Sequence, residues 1–95
     1  MPRLRMDEIL VDSCSSAYAA VQVQQVADVE IFNSTFHNNS AVRYSGGALH
    51  CTGGQRLRVK GCTFSANTNR NGMGGALGVD HVLLVHISDT LFDSN

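Results

Sequence analysis

The feature of this sequence that most constrains its fold is a pair of short motifs that recur at a fixed interval. Phe-x-x-Asn begins at Phe36 and returns at Phe64 and at Phe92, so both steps lead from position i to position i+28. Gly-Gly-Ala-Leu begins at Gly46 and returns at Gly74, which is again the step from i to i+28. A period of this length, kept by two motifs at once, predicts a chain built from stacked structural repeats.

Apolar residues alternate with polar ones within each repeat, which is the period of a β-strand and not that of a helix. Residues 29–31, 57–59 and 85–87 read Val-Glu-Ile, Leu-Arg-Val and Val-His-Ile, with apolar residues at the first and third places. Two residues later comes a residue that tolerates a left-handed backbone and predicts a corner. These corner residues are Asn33, Gly61 and Asp89.

The first repeat fits the same pattern if its loop is three residues shorter. Leu4-Arg5-Met6 then aligns with residues 29–31, and Cys14 takes the place of Asn39. In this alignment an outward column reads Arg5, Glu30, Arg58, His86. A neighbouring column sets Asp28 beside Arg56. Because stacked strands lie about 4.8 Å apart, we expect these opposite charges to interact.

These patterns predict an all-β fold, a right-handed single-stranded parallel β-helix (a solenoid) of about three coils, each with the period of the two motifs. One domain, residues 4–95, contains it, with coils at about 4–28, 29–56 and 57–84 and a partial coil at 85–95. The predicted interior consists of the inward apolar residues of these coils. They are Val21, Val23, Val29, Ile31, Phe36, Leu49, Cys51, Leu57, Val59, Phe64, Leu77, Val79, Val85, Ile87 and Phe92.

The two motifs have a physical meaning in such a coil, because equivalent residues stack on one another. The phenylalanines would form an interior aromatic stack, and the asparagines an inward ladder of amides bonded to turn backbone. Gly-Gly would form a corner where a β-carbon does not fit. The predicted structural ladder consists of Phe36, Phe64, Phe92, Asn39, Asn67, Asn95, Gly46, Gly47, Gly74 and Gly75.

The paired motifs also resemble a known family. Phe-x-x-Asn together with Gly-Gly-Ala-Leu is similar to the double motif of the polymorphic outer membrane protein repeat of chlamydial surface autotransporters. The resemblance covers residues 29–95 well and 4–28 weakly. It implies a cell-surface, outer-membrane or extracellular location in the full-length protein. It also implies adhesion to a host protein or glycan through the variable loops at 40–45 and 68–73.

Charge and hydropathy exclude several partner classes. The chain has 7 Lys and Arg against 8 Asp and Glu, so nothing in its charge favours nucleic acid or a membrane surface. No apolar run approaches the roughly 20 residues needed to span a bilayer. The first ten residues contain no apolar core of signal-peptide length, so we expect no secretion signal in this chain.

The residues predict no catalytic, cofactor-binding or metal site. Neither the Arg5 column nor the column of Gln22, His50 and Gly78 sets two carboxylates together, as polysaccharide lyases and hydrolases require. The four histidines fall in different columns, and a zinc site is not expected. The three cysteines are an odd number without metal spacing, and we expect small core side chains at Cys14, Cys51 and Cys62.

Two functions remain open from the sequence. The first is a non-catalytic structural and adhesive module of a cell-surface or secreted protein, and the alternative is a fragment of a carbohydrate-active β-helix enzyme. The sequence offers no polar cap at either end, so we expect further coils or self-association there. Sequons at Asn33 and Asn38 leave glycosylation open.

Overall fold

The computed structural model describes residues 3–15, 19–42, 46–70 and 75–95. The protein is all-β, as the sequence predicts: the described residues form thirteen strands and no helix. The strands are β1 (Arg3–Asp7), β2 (Leu10–Asp12), β3 (Val21–Gln24), β4 (Asp28–Phe32), β5 (Thr35–His37), β6 (Ser40–Ala41), β7 (Leu49–Thr52), β8 (Arg56–Lys60), β9 (Thr63–Ser65), β10 (Thr68–Asn69), β11 (Leu77–Asp80), β12 (Leu84–Ser88) and β13 (Leu91–Asp93).

All strand pairing in the described residues is parallel. Sheet 1 has the order β1-β4-β8-β12, sheet 2 the order β2-β5-β9-β13, sheet 3 the order β3-β7-β11, and sheet 4 pairs β6 with β10. None of these sheets closes on itself in the part of the chain that the structure describes. Consecutive strands along the chain belong to different sheets, so the chain changes direction after each short strand.

The register of the pairing follows the repeat. Phe36 lies opposite Phe64, and Phe64 opposite Phe92, so partners occupy positions i and i+28. The first layer pairs with a shorter step, since Leu4 lies opposite Val29, at positions i and i+25. This confirms the register in which the first loop is three residues shorter.

The core lies between the sheets and contains the inward apolar side chains of the middle layers. The buried cluster consists of Val23, Val29, Ile31, Phe36, Ala48, Leu49, Cys51, Leu57, Val59, Cys62, Phe64 and Ala76. Val21, Leu77 and Val79 are only partly buried.

The interior assignment is wrong for three residues of the last layer. Val85, Ile87 and Phe92 are 40%, 42% and 44% exposed. They lie on β12 and β13, which are edge strands with a partner on one side only. An inward side chain in a stacked fold is covered by its neighbours on both sides, so losing one neighbour leaves it half open.

Two positions assigned to outward columns are in fact buried. Glu30 is 3% exposed because Arg3 and Arg58 lie on either side of its carboxylate. His50 is also buried, on the central strand β7, which has Gln22 and Gly78 as its neighbours in register. An outward direction therefore does not ensure exposure in a middle layer.

The chain turns at three columns of residues with positive φ. The predicted corner is present, with φ of 52°, 66° and 50° at Asn33, Gly61 and Asp89, and Glu8 joins it in the first layer. Two further columns were not predicted. They consist of Gln25, Gly53 and His81, and of Ser13, Asn38, Ala66 and Ser94.

These left-handed residues are held by backbone hydrogen bonds between layers. The N–H of Asn33 donates to the carbonyl oxygen of Lys60 at 2.9 Å, and the N–H of Gln25 donates to that of Thr52 at 2.8 Å. Ala66 has no side-chain preference for this conformation, and its N–H donates to Asp93 at 3.1 Å. The stacking therefore sets the corner where the residue type does not.

The variable loops are shorter than the sequence suggests. Ser40 and Ala41 form β6 and pair with Thr68 and Asn69 of β10, and Ala41 is buried. Of the other residues in these predicted loops, 43–45 and 71–73 lie outside the described residues, as does the predicted ladder residue Gly74.

Candidate functional site

The constant spacing of the phenylalanines produces a stack of rings. Phe36 and Phe64 have ring centroids 4.7 Å apart and planes within 4°, and Phe64 and Phe92 follow at 4.9 Å and 9°. The strands β5, β9 and β13 impose this spacing, since it matches the distance between paired strands. The two inner rings are fully buried, so this column supports the layers from inside.

The asparagines form a continuous ladder of amides beside the rings. Asn39 Nδ2 donates to Asn67 Oδ1 at 2.9 Å, and Asn67 Nδ2 donates to Asn95 Oδ1 at 3.0 Å. Each amide also donates to a backbone carbonyl, that of Val11, Phe36 or Phe64 respectively. The ladder therefore ties each layer to the next and satisfies polar groups that water does not reach.

The ladder also accounts for the first layer. The N–H of Cys14 donates to Asn39 Oδ1 at 3.0 Å, in the same way that the N–H of Asn39 donates to Asn67 Oδ1. Cys14 thus occupies the asparagine position without supplying an amide. Its side chain is exposed, so its assignment to the core is wrong, while Cys51 and Cys62 are buried.

The glycines lie where backbones approach closely. A β-carbon at Gly46 would meet the carbonyl oxygen of Leu49, and the φ of 81° there disfavours other residues. One at Gly47 would meet the carbonyl oxygens of Gly75 and Thr68. A substitution at Gly47 therefore requires two layers to move apart.

The outer surface of sheet 1 carries most of the charge. We define the charged face as the outward side chains of β1, β4, β8 and β12. The charged face includes five of the chain's seven Lys and Arg residues, namely Arg3, Arg5, Arg56, Arg58 and Lys60. Its carboxylates are Asp7, Asp28 and Glu30.

Ion pairs on the charged face follow the predicted columns only in part. Arg56 binds Asp28 through two hydrogen bonds of 3.2 and 2.7 Å, as expected. Glu30 binds Arg58 at 2.6 Å and is also bound by Arg3, not by Arg5. Arg5 instead lies over the ring of Phe32 at 5.2 Å. Arg3, which lies two residues before Arg5 on β1, thus reaches Glu30 diagonally.

The two carboxylates of β4 are held in their ionised form. The side-chain hydrogen bond from Arg3 lowers the pKa of Glu30, and that from Arg56 lowers the pKa of Asp28. Alignment of equivalent positions between layers did not show that these two acids share one face of β4, with their Cα atoms about 6.6 Å apart. A hydrolase needs one acid with a raised pKa, and here the arginines act in the opposite direction.

Among the residues that the structure describes, the remaining titratable side chains form no shared site. Burial raises the pKa of the Cys51 thiol to about 11, so this thiol is unreactive in the folded protein. His37 Nδ1 is 2.8 Å from Ser65 Oγ, and His81 Nδ1 is 3.0 Å from Asp80 Oδ1. Across residues 3–15, 19–42, 46–70 and 75–95, no three His, Cys, Asp or Glu side chains are grouped to hold a metal ion.

Comparison with known proteins returns no relative. No protein-family model, curated protein or solved structure matches this sequence significantly. The resemblance to the polymorphic outer membrane protein repeat therefore rests on the paired motifs. Within the described residues there is no helix that is long and apolar enough to cross a membrane.

Proposed function

We propose that this chain is a segment of a right-handed parallel β-helix that serves as a non-catalytic structural and adhesive module of a cell-surface or secreted protein. The observation that carries the proposal is the constant register, in which every strand of the middle layers pairs with its own equivalent in the next repeat. Four sheets visited in the same order in successive repeats are what a coil would produce.

The resemblance to the polymorphic outer membrane protein repeat supplies the adhesive part of the proposal. In this proposal the residues that vary between repeats, 42–45 and 70–73, make the adhesive contacts. Loops on a rigid scaffold are a common arrangement for binding surfaces. The exposed apolar side chains of β12 and β13 would be covered by further coils or by a second molecule.

The alternative, a fragment of a carbohydrate-active enzyme, has less support. Asp28 and Glu30 are two acids on one face of β4, and each is bound by arginine with its pKa lowered. Neither carboxyl group is therefore available as the protonated acid of a glycosidase.

The coil is tested by changing the number of repeats. Duplicating residues 57–84 keeps every column in register, and we expect a folded protein that is longer by about 5 Å in solution scattering. Inserting only half of that segment shifts phenylalanines against corners and should prevent cooperative folding. Equal stability of the two insertions would contradict the coil.

Adhesion is tested with protein-coated beads and cultured cells. Replacing residues 42–45 and 70–73 with Gly-Ser sequence should abolish bead attachment while urea unfolding stays unchanged. Attachment that survives this replacement would refute adhesion through these residues. Cleavage of a polysaccharide by the unmodified protein would favour the enzyme alternative instead.

A further inference from the structure

The charged face contains a shallow groove near its C-terminal layers. We call it the cationic groove, and its lining residues are Phe32, Asn33, Arg58, Val59, Lys60, His86 and Ser88. The groove lies on the outer surface of β4, β8 and β12. Coils stacked on the edge of β12 would lengthen this surface and would leave it open.

The local charge in and beside the groove is positive. Arg3 and Arg58 share the carboxylate of Glu30, and Arg5 lies 3.6 Å from that of Asp7, so three guanidinium groups face two carboxylates. Lys60 is exposed and forms no salt bridge with any residue that the structure describes. Arg58 and Lys60 lie on one face of β8, with their Cα atoms about 6.6 Å apart. This positive region lies on a chain whose net charge is −1.

The other lining groups suit a sugar better than a bare ion. Phe32 is half-buried, with Arg5 over one of its faces, and its remaining surface offers an apolar wall. Ser88 adds a hydroxyl, and Asn33 adds an amide oxygen that can accept from a sugar hydroxyl, while the Asn33 Nδ2 donates to Asp7 Oδ1 at 3.2 Å. Sugar rings present one apolar face and several hydroxyl groups, and the groove offers partners for both.

We propose that the cationic groove binds a polysaccharide that carries carboxylate or sulfate groups, with Arg58 and Lys60 facing the acidic groups and Phe32 packing against a sugar ring. The inference goes beyond the proposed function, because it adds a binding site on sheet 1 to the adhesion assigned to residues 42–45 and 70–73. A nucleic acid is the weaker fit, because single strands are bound by several stacked aromatic side chains in a strongly basic channel. The groove has one aromatic residue.

The test measures binding by isothermal titration calorimetry with four probes. Heparin carries sulfate and carboxylate, polygalacturonate carries carboxylate only, dextran is neutral, and oligothymidylate is an anion without acidic sugars. We expect binding of heparin or polygalacturonate that weakens with added salt, and none of dextran. Heparin binding alone would identify sulfate as the acidic group. Binding of oligothymidylate as tight as that of both acidic sugars, or binding of none of the probes, would overturn the proposal.

Two variants of equal charge change locate the site. Lys60→Gln should weaken acidic-polysaccharide binding about fivefold, the upper range for one exposed charge pair. Gln24→Glu also lowers the net charge by one, but it lies on sheet 3 and should leave affinity unchanged. Equal losses of affinity in both variants would show that the polysaccharide responds to the net charge of the whole chain. That result would overturn the binding site in the groove. Both positions are exposed, and urea midpoints check that folding is intact.

Bead attachment separates this inference from the proposed function. If Lys60→Gln beads attach to cells normally and the unmodified protein does not bind acidic sugars, adhesion stands and the polysaccharide site in the groove is wrong. If unmodified beads fail to attach although heparin or polygalacturonate binds at Lys60, the groove stands and adhesion fails.

Discussion

Replacing Asn67 by leucine tests how much the amide ladder stabilises the fold. The side chain of Asn67 is fully buried and takes part in four hydrogen bonds. Leucine has a similar volume, so the change removes these bonds without leaving a large cavity. Asn67→Leu therefore isolates the polar contribution at this position.

The expected cost follows from the groups left behind. Asn39 loses the acceptor of its backbone N–H and of one side-chain amide hydrogen, and Asn39 is itself fully buried. Each of these two unsatisfied buried donors costs about 1–3 kcal/mol, so Asn67→Leu should lower the free energy of unfolding by about 2–6 kcal/mol.

The same change at Asn95 is the matched control. Its side-chain oxygen accepts from the N–H and Nδ2 of Asn67, and its Nδ2 donates to Phe64, so three hydrogen bonds are lost where Asn67→Leu loses four. Asn95 is exposed at the edge of the stack, and we expect Asn95→Leu to lower the free energy of unfolding clearly less than Asn67→Leu. Urea unfolding followed by circular dichroism measures both variants. Equal losses at Asn67 and Asn95 would refute the buried ladder.

Three further predictions concern the ring stack, the thiols and the ion pairs. Phe64→Ala should cost about 3–5 kcal/mol in urea unfolding and Phe92→Ala clearly less, because Phe92 is already 44% exposed; a larger loss at Phe92 would contradict the stack. Iodoacetamide at pH 8 should alkylate the exposed Cys14 in the native protein and the buried Cys51 only after unfolding. Mass spectrometry of digests measures both adducts, and a Cys51 adduct in the native protein would contradict the burial of this thiol. The pKa of Glu30 is lowered in the folded protein, so its contribution to stability is present above the unfolded pKa of about 4.3 and is lost as pH falls through the folded pKa. Glu30→Gln should therefore reduce the loss of unfolding free energy in acid, and an unchanged dependence of unfolding free energy on pH would contradict this role.

The sequence predicted the all-β class and the pairing register because both depend on periodic residues. Phe36, Phe64 and Phe92 recur at a constant step, and apolar alternation sets the inward side of each strand. The shortened first layer followed from aligning Leu4 with Val29. These properties are local or strictly repeated, so one sequence is enough to find them.

The other features of the fold depend on contacts between layers, and the residue type at a single position does not reveal these contacts. Ala66 has a left-handed backbone because its layer is bonded to the next one, and nothing in alanine signals this. Glu30 is buried because Arg3 reaches it diagonally, which alignment of equivalent positions does not show. Exposure of Phe92 likewise results from its place at an edge, although its residue type and period match those of Phe64.

The constant pairing distance has a consequence for how this chain folds. Each strand must find a partner at position i+25 or i+28, so every layer closes a loop of nearly the same length. Closure entropy depends on the logarithm of loop length, and the small difference between the two steps changes it by only about 0.1 kcal/mol. Initiation is therefore almost equally costly at any layer, while each later layer adds to a formed edge. We expect folding to start at the paired strands β4 and β8, which lie in the middle of sheet 1 and carry buried side chains, and to spread outward in both directions.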